Sequence, residues 1–150
     1  MSFNKQQGFT LIELVMVIVI LGILAATALP KFVDMTKSAR ISTLKGLEGA
    51  IQGAKSITRA AYLIAPAATV TLSDTTTVAV VNTSGAANAG YPLATAAGIV
   101  AAIEYTTNDF VPTYVTTGGN VVTFTLNGKT NCFLTYTESS AAVAQTTSGC

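Results

Sequence analysis

Glu13 is the side chain in this sequence best placed to do chemistry, because of what surrounds it. It follows Gly8-Phe9-Thr10-Leu11-Ile12 and precedes sixteen residues, Leu14 to Leu29, that carry no charge. On insertion scales a carboxylate within a membrane-spanning helix costs roughly 2.5–3.5 kcal/mol, so a chain that keeps one there implies a cationic partner for it. Other reactive candidates are few. The chain has no histidine and two cysteines, Cys132 and Cys150. Without histidine, neither a Cys-His or Ser-His pair nor a zinc site of the His or His/Cys type can be built. Glu104, Asp109 and Glu138 fall on different expected elements, and a calcium site at Asp109 has no positive support. Glycines at 85, 90, 118 and 119 match no phosphate-binding pattern and read as turns. The expectation is a chain that is not an enzyme and that holds no metal and no cofactor.

The apolar run sets the length of the element that carries Glu13. Phe9 to Leu29 is 21 residues, as a helix about 31 Å long, against a hydrocarbon core of about 30 Å. Three readings compete. A secretory signal peptide has support from Lys5 and from the small-x-small site Ala26-Thr27-Ala28, but the length of the run and Glu13 speak against it. A plain single-span anchor explains the length and leaves Glu13 without purpose. The third reading comes from the residues taken together.

Gly8-Phe9-Thr10-Leu11-Ile12-Glu13-Leu14, with a short polar leader before it and an unbroken apolar helix after it, resembles the class III signal of type IV pilins and pseudopilins. The resemblance implies that a prepilin peptidase cuts between Gly8 and Phe9 and methylates the new N-terminal Phe9. It also implies an assembly salt bridge between Glu13 and the Phe9 amine. The two stand four residues apart and could pair within one helix. The resemblance instead implies pairing between neighbouring subunits, and losing one partner of a buried pair costs about 3–5 kcal/mol, enough to set register. Further along, Ala39-Arg40-Ile41-Ser42, Leu44, Gly46-Leu47, Gly90-Tyr91-Pro92 and Gly98-Ile99 resemble the major subunits of mannose-sensitive haemagglutinin pili.

The rest of the chain must position this helix. Gly22 and Pro30 are the expected bending points, since Pro30 removes the hydrogen bond to the Ala26 carbonyl. Leu44, Leu47, Ile51, Ala54, Thr58 and Ala61 then recur at helical spacing, which predicts an amphipathic stem from about Lys31 to Ile64, stopped by Ala65-Pro66. Gly46, Gly49 and Gly53 on it allow close approach of another element. Beyond it, Thr69 to Leu72 and Thr77 to Val81 read as short strands, and Pro92 to Glu104 as a short helix on Leu93, Ala97, Val100 and Ala101. Asn127-Gly128 between β-rich runs predicts a type I′ hairpin joining Asn120–Thr125 to Thr130–Tyr136. The expected fold class is α+β, the type IV pilin fold, a long N-terminal helix on a small antiparallel sheet. Its parts are a cleaved leader (1–8), a transmembrane assembly helix (9–29), an amphipathic stem (30–65) and a β-rich head (66–150).

Charge is uneven along that plan. From Lys31 to Arg59 six basic residues face two acidic ones, for +4, and from Ala60 onward Lys129 faces four acidic residues, for −3. In an ordinary anchor this would place the stem in the cytoplasm. Lys5 and the resemblance favour export, and a basic stem and acidic head then complement one another between stacked subunits; a solvated helix face is the plain alternative. Export also makes a Cys132–Cys150 disulfide the leading reading, and the family's C-terminal disulfide loop implies the same pair.

The function expected from the resemblance is that of a major pilus subunit. It waits as a single-pass inner-membrane precursor and polymerises with identical copies, through the pilus assembly machinery, into an extracellular fibre for attachment. No nucleic acid is expected as a partner. The alternatives are a type II secretion pseudopilin, a group that commonly carries a C-terminal calcium cluster and lacks the disulfide, and a secreted binding module freed after Ala28.

Overall fold

The computed structural model describes residues 9–150; the leader, with Lys5 and Gly8, lies outside them. Helix α1 spans Leu11–Ile64. Gly22 and Pro30 both lie inside its helical run, so neither ends it. The chain divides into two compact units, Met1–Ala39 and Arg40–Cys150. Within the first, the apolar side chains from Phe9 to Leu29 are exposed, Phe9 by 84% and Leu29 by 69%. The helix is long and apolar enough to cross a membrane, and its most apolar window buries nothing against this chain.

In the second unit the stem behaves as its spacing predicts. Leu44, Leu47, Ile51, Ala54 and Thr58 are all buried, and Ala61 is half-buried. Thr58, the one polar member, donates from Oγ1 to the Ala54 carbonyl at 2.9 Å, so the stripe carries no orphaned hydroxyl. The opposite side holds the glycines. A Cβ added at Gly46, Gly49 or Gly53 would meet nothing within 4 Å, so the close approach expected there is not made by this chain. Ala65 and Pro66 follow the last helical residue, as proline's missing N–H requires.

Strands β1 (Thr69–Thr71) and β2 (Thr77–Ala79) form an antiparallel pair. Their turn places Thr75 at φ +70°, and Asp74 Oδ1 accepts from the Thr76 amide at 3.0 Å. Four more strands, β3 (Phe110–Val115), β4 (Val121–Leu126), β5 (Phe133–Thr137) and β6 (Ala142–Thr146), make an antiparallel meander in that order. Its inner face supplies Phe110, Val122, Phe124, Leu134 and Tyr136 to a core shared with Leu44, Leu47, Ile51 and Ala54. The α+β class is as expected, a long N-terminal helix followed by antiparallel sheets.

Two local expectations are corrected. Pro92 to Glu104 is not a regular helix; it contains a single irregular turn, Ala96–Val100, broken by Gly98 at φ −97°, ψ −114°. A Cβ on Gly98 would stand 2.1 Å from the Leu93 carbonyl oxygen, so tight folding of the loop on itself overrides alanine's helix propensity. The Asn127-Gly128 turn is not type I′. Gly128 takes φ +72°, but Asn127 is not among the residues with positive φ, and the Lys129 amide donates to the Leu126 carbonyl at 3.1 Å. Positive φ at the third position alone is the type II pattern. The connection runs on to Asn131 at φ +57°, so the hairpin is longer than a two-residue loop.

Candidate functional site

At the start of α1, Thr10 and Glu13 satisfy one another. Thr10 donates to Glu13 Oε2 twice, from its amide at 2.8 Å and from Oγ1 at 2.7 Å, while the Glu13 amide donates to Thr10 Oγ1 at 3.3 Å. With Leu11 as the first helical residue this is a capping box, Thr10 at the N-cap and Glu13 at the third position. The pattern Thr-x-x-Glu before an apolar run is readable in sequence, and reading Glu13 only as a buried charge overlooks it. Both contacts from Thr10 fall on one oxygen of the Glu13 carboxylate, which starts the helix.

Three of the stem's basic residues make contacts inside the second unit. Arg40 Nη1 donates to the Cys150 carbonyl oxygen at 2.7 Å, and Lys55 Nζ donates to the Ala141 carbonyl. Arg59 donates to the Tyr91 hydroxyl, with its guanidinium 4.7 Å from that ring's centroid and the Lys55 ammonium at 5.5 Å. Gln145 Nε2 donates to Glu48 Oε2. Three of the six stem cations therefore dock the helix to its own head, so the positive surface left for any neighbour is smaller than the charge count suggests.

Cys132 and Cys150 form a disulfide, with Cα atoms 4.8 Å apart and 18 residues of separation. The tail that it closes is not loose chain. It contains β6, paired with β5 from Phe133↔Thr146 to Thr137↔Ala142. Alternating Ala, Val and Gln with no turn residues was the available signal for β6, and Val-Pro-Thr-Tyr-Val for β3, where Pro112 marks an edge strand.

Glu138 ties the loop at 88–94 to the sheet. Its Oε2 accepts from the Ala94 amide at 2.9 Å and its Oε1 from Asn120 Nδ2 at 3.1 Å, while Asn88 Nδ2 donates to its carbonyl at 3.0 Å. Beside it Tyr136 donates to the Pro92 carbonyl at 2.7 Å, and burial, with the Glu138 charge, pushes its phenol above the ordinary tyrosine range. Glu138→Ala strands two donors and is expected to cost about 1–3 kcal/mol, and Glu138→Gln less, read as the urea midpoint of the purified protein.

Among the described residues no group of three or more His, Cys, Asp or Glu side chains could hold a metal. A depression beside Lys31, Asp34, Met35 and Ser38 is lined by one helix face alone and offers no enclosed chemistry. Glu13 therefore stands in the first turn of a helix whose apolar side chains from Phe9 to Leu29 are exposed among the described residues.

Residues 3–29 match the prokaryotic N-terminal methylation motif. Over its N-terminal region the chain is similar to type IV pilins. The chain is 47% identical over 53 residues to the type IV narrow pilus major component PilA5 of Thermus thermophilus, covering 35% of this chain and 46% of that protein. It is 51% identical over 51 residues to the fimbrial protein EcpC of Eikenella corrodens, 34% of this chain and 33% of that one. To the type IV major pilin protein PilE1 of Neisseria gonorrhoeae it is 62% identical over 37 residues, 25% and 22% of the two chains. The match thus spans less than half the length of these pilin relatives. They are structural subunits and not enzymes. No solved structure matches the chain.

Proposed function

We propose that this protein is a type IV pilin, the major structural subunit of a pilus used for attachment, held in the inner membrane before assembly. The observation that carries the reading is a helix with an exposed apolar surface from Phe9 to Leu29, headed by the single carboxylate of Glu13. A bilayer can cover that surface in the monomer, and identical helices can cover it in a fibre. Cleavage between Gly8 and Phe9 would free a cationic amine four residues before Glu13, and the methylation motif matched over residues 3–29 supports N-methylation of Phe9 as part of the proposal. Gly22 and Pro30 are proposed as the positions where the helix bends on packing. The division into leader, assembly helix, stem and head is part of the same proposal.

The disulfide between Cys132 and Cys150 supports a pilin over a type II secretion pseudopilin. Closer kinship with mannose-sensitive haemagglutinin pilins rests on short matches such as Gly90-Tyr91-Pro92. Processing tests the reading. Protein sheared from the cell surface is expected to begin with N-methyl-Phe9, by intact mass and N-terminal sequencing. A mature N-terminus at Leu29 would establish ordinary signal-peptidase cleavage and overturn it.

A further inference from the structure

Asn127-Gly128 is the only Asn-Gly pair in the chain, and the fold leaves it open to reaction with itself. Both residues are exposed, in the connection between β4 and β5. Gly128 stands at φ +72°, and a Cβ built on it would meet nothing within 4 Å, so no neighbour shields its backbone nitrogen. Among the described residues the Gly128 amide has no hydrogen-bond acceptor. The amides on either side of it do, Asn127 donating to the Asp109 carbonyl at 2.8 Å and Lys129 to the Leu126 carbonyl at 3.1 Å. The Asn127 side chain is held by one bond, from Nδ2 to the Asn108 carbonyl at 3.0 Å. That bond is exposed, and an exposed hydrogen bond exchanges with water at little net cost, so it opens readily.

We propose that Asn127 is a site of spontaneous deamidation, with the Gly128 backbone amide as nucleophile and water as co-reactant. Once the Asn108 contact opens, the side chain turns its Cγ to the Gly128 nitrogen. Hydroxide removes the Gly128 N–H proton and the nitrogen attacks; an N–Cγ bond forms, the Cγ–Nδ2 bond breaks, and Nδ2 leaves as ammonia with a proton from water. The resulting five-membered succinimide takes up one water at either carbonyl, opening to aspartate or isoaspartate, and the carboxyl proton passes to solvent. Nothing is oxidised or reduced. Asn82, Asn88, Asn108, Asn120 and Asn131 precede Thr, Ala, Asp, Val and Cys, whose side chains crowd the attacking nitrogen. The product differs from the parent where the turn is tied down. A carboxylate at 127 accepts but cannot donate, so the bond to the Asn108 carbonyl is lost and oxygen faces oxygen. Isoaspartate also inserts a methylene into the main chain, which the four-residue turn closed between Leu126 and Lys129 cannot absorb. The new charge joins a region that from Ala60 onward already carries −3. Deamidation therefore unties the β4–β5 connection from the entry to β3 and marks the age of each molecule. The chemistry needs only the folded head and stands apart from the pilus reading.

The test holds full-length wild-type protein and Asn127→Gln, each purified in detergent, at mildly alkaline pH in heavy-oxygen water. Glutamine keeps the amide but must close a six-membered ring, which is far slower. Peptide mass spectrometry and isoaspartate-directed methylation follow each asparagine. In the wild type, aspartate and isoaspartate at 127 should accumulate in proportion to hydroxide, about tenfold or more faster than at any other asparagine, and should carry the solvent oxygen. Asn127→Gln should stay unmodified at that position. Trypsin should cut the aged wild type, and a fresh Asn127→Asp variant, several-fold faster after Lys129 than fresh wild type. Asn127 that stays intact in the folded protein but converts in urea would mean that the Asn108 contact withholds the side chain, and would overturn the inference. Equal conversion at the other asparagines would overturn it too. An Asn127→Asp protein cut after Lys129 no faster than wild type would overturn the untying of the connection.

Discussion

Glu13→Val is expected to leave the precursor in the membrane at normal level and to reduce surface fibre to a small fraction of wild type. In the monomer the carboxylate costs roughly 2.5–3.5 kcal/mol within a bilayer, so removing it should not impair insertion. In a fibre the same group would neutralise the Phe9 amine freed by cleavage, and stripping one partner from a buried pair costs about 3–5 kcal/mol at every added subunit. A second variant separates charge from capping. Glutamine at the third helical position can still close a capping box on Thr10. Glu13→Gln should therefore keep the helix start seen here, with its contact to the Thr10 amide, and still lose fibre. Membrane fractionation and shear yield provide the readout; full piliation with glutamine would show that Glu13 serves only to cap.

Cys150→Ser is expected to have the second-largest effect, through the head and not the helix. Closing an 18-residue separation stabilises by about 3 kcal/mol in the loop-entropy account, a large part of the roughly 5–15 kcal/mol that holds a domain folded. Strand β6 remains hydrogen-bonded to β5 without the bridge, so the first cuts in limited proteolysis should fall at the 138–141 turn and at 147–149, with fibre yield falling in parallel. Arg40 would also lose the fixed position of its Cys150 acceptor. A thiol count on protein from intact fibres sets the baseline. Two free thiols there would remove the basis of this expectation.

The sequence by itself determined the elements whose cause is local. A predominantly apolar run of 21 residues can satisfy its backbone in a membrane only as a helix, and the stripe from Leu44 to Ala61 repeats at a period that only a helix can bury on one side. Glu13 stood out because a charge is costly in that run, and its capping role was legible in Thr10-x-x-Glu13 although easily passed over. Tertiary structure decided the rest. Helix propensity favoured Pro92 to Glu104, but the loop's contact with itself at Gly98 leaves no room for a regular turn. Asn127-Gly128 favoured a tight hairpin, but strand register placed the turn inside a longer connection. Strands β3 and β6 are weak alone and exist because β4 and β5 offer them edges. Arg40, Lys55 and Arg59 read as surface charge until their acceptors, the Cys150 and Ala141 carbonyls and Tyr91, were brought from more than thirty residues away. Pairing across such distances depends on which chain segments the core brings together, and no local spacing encodes that.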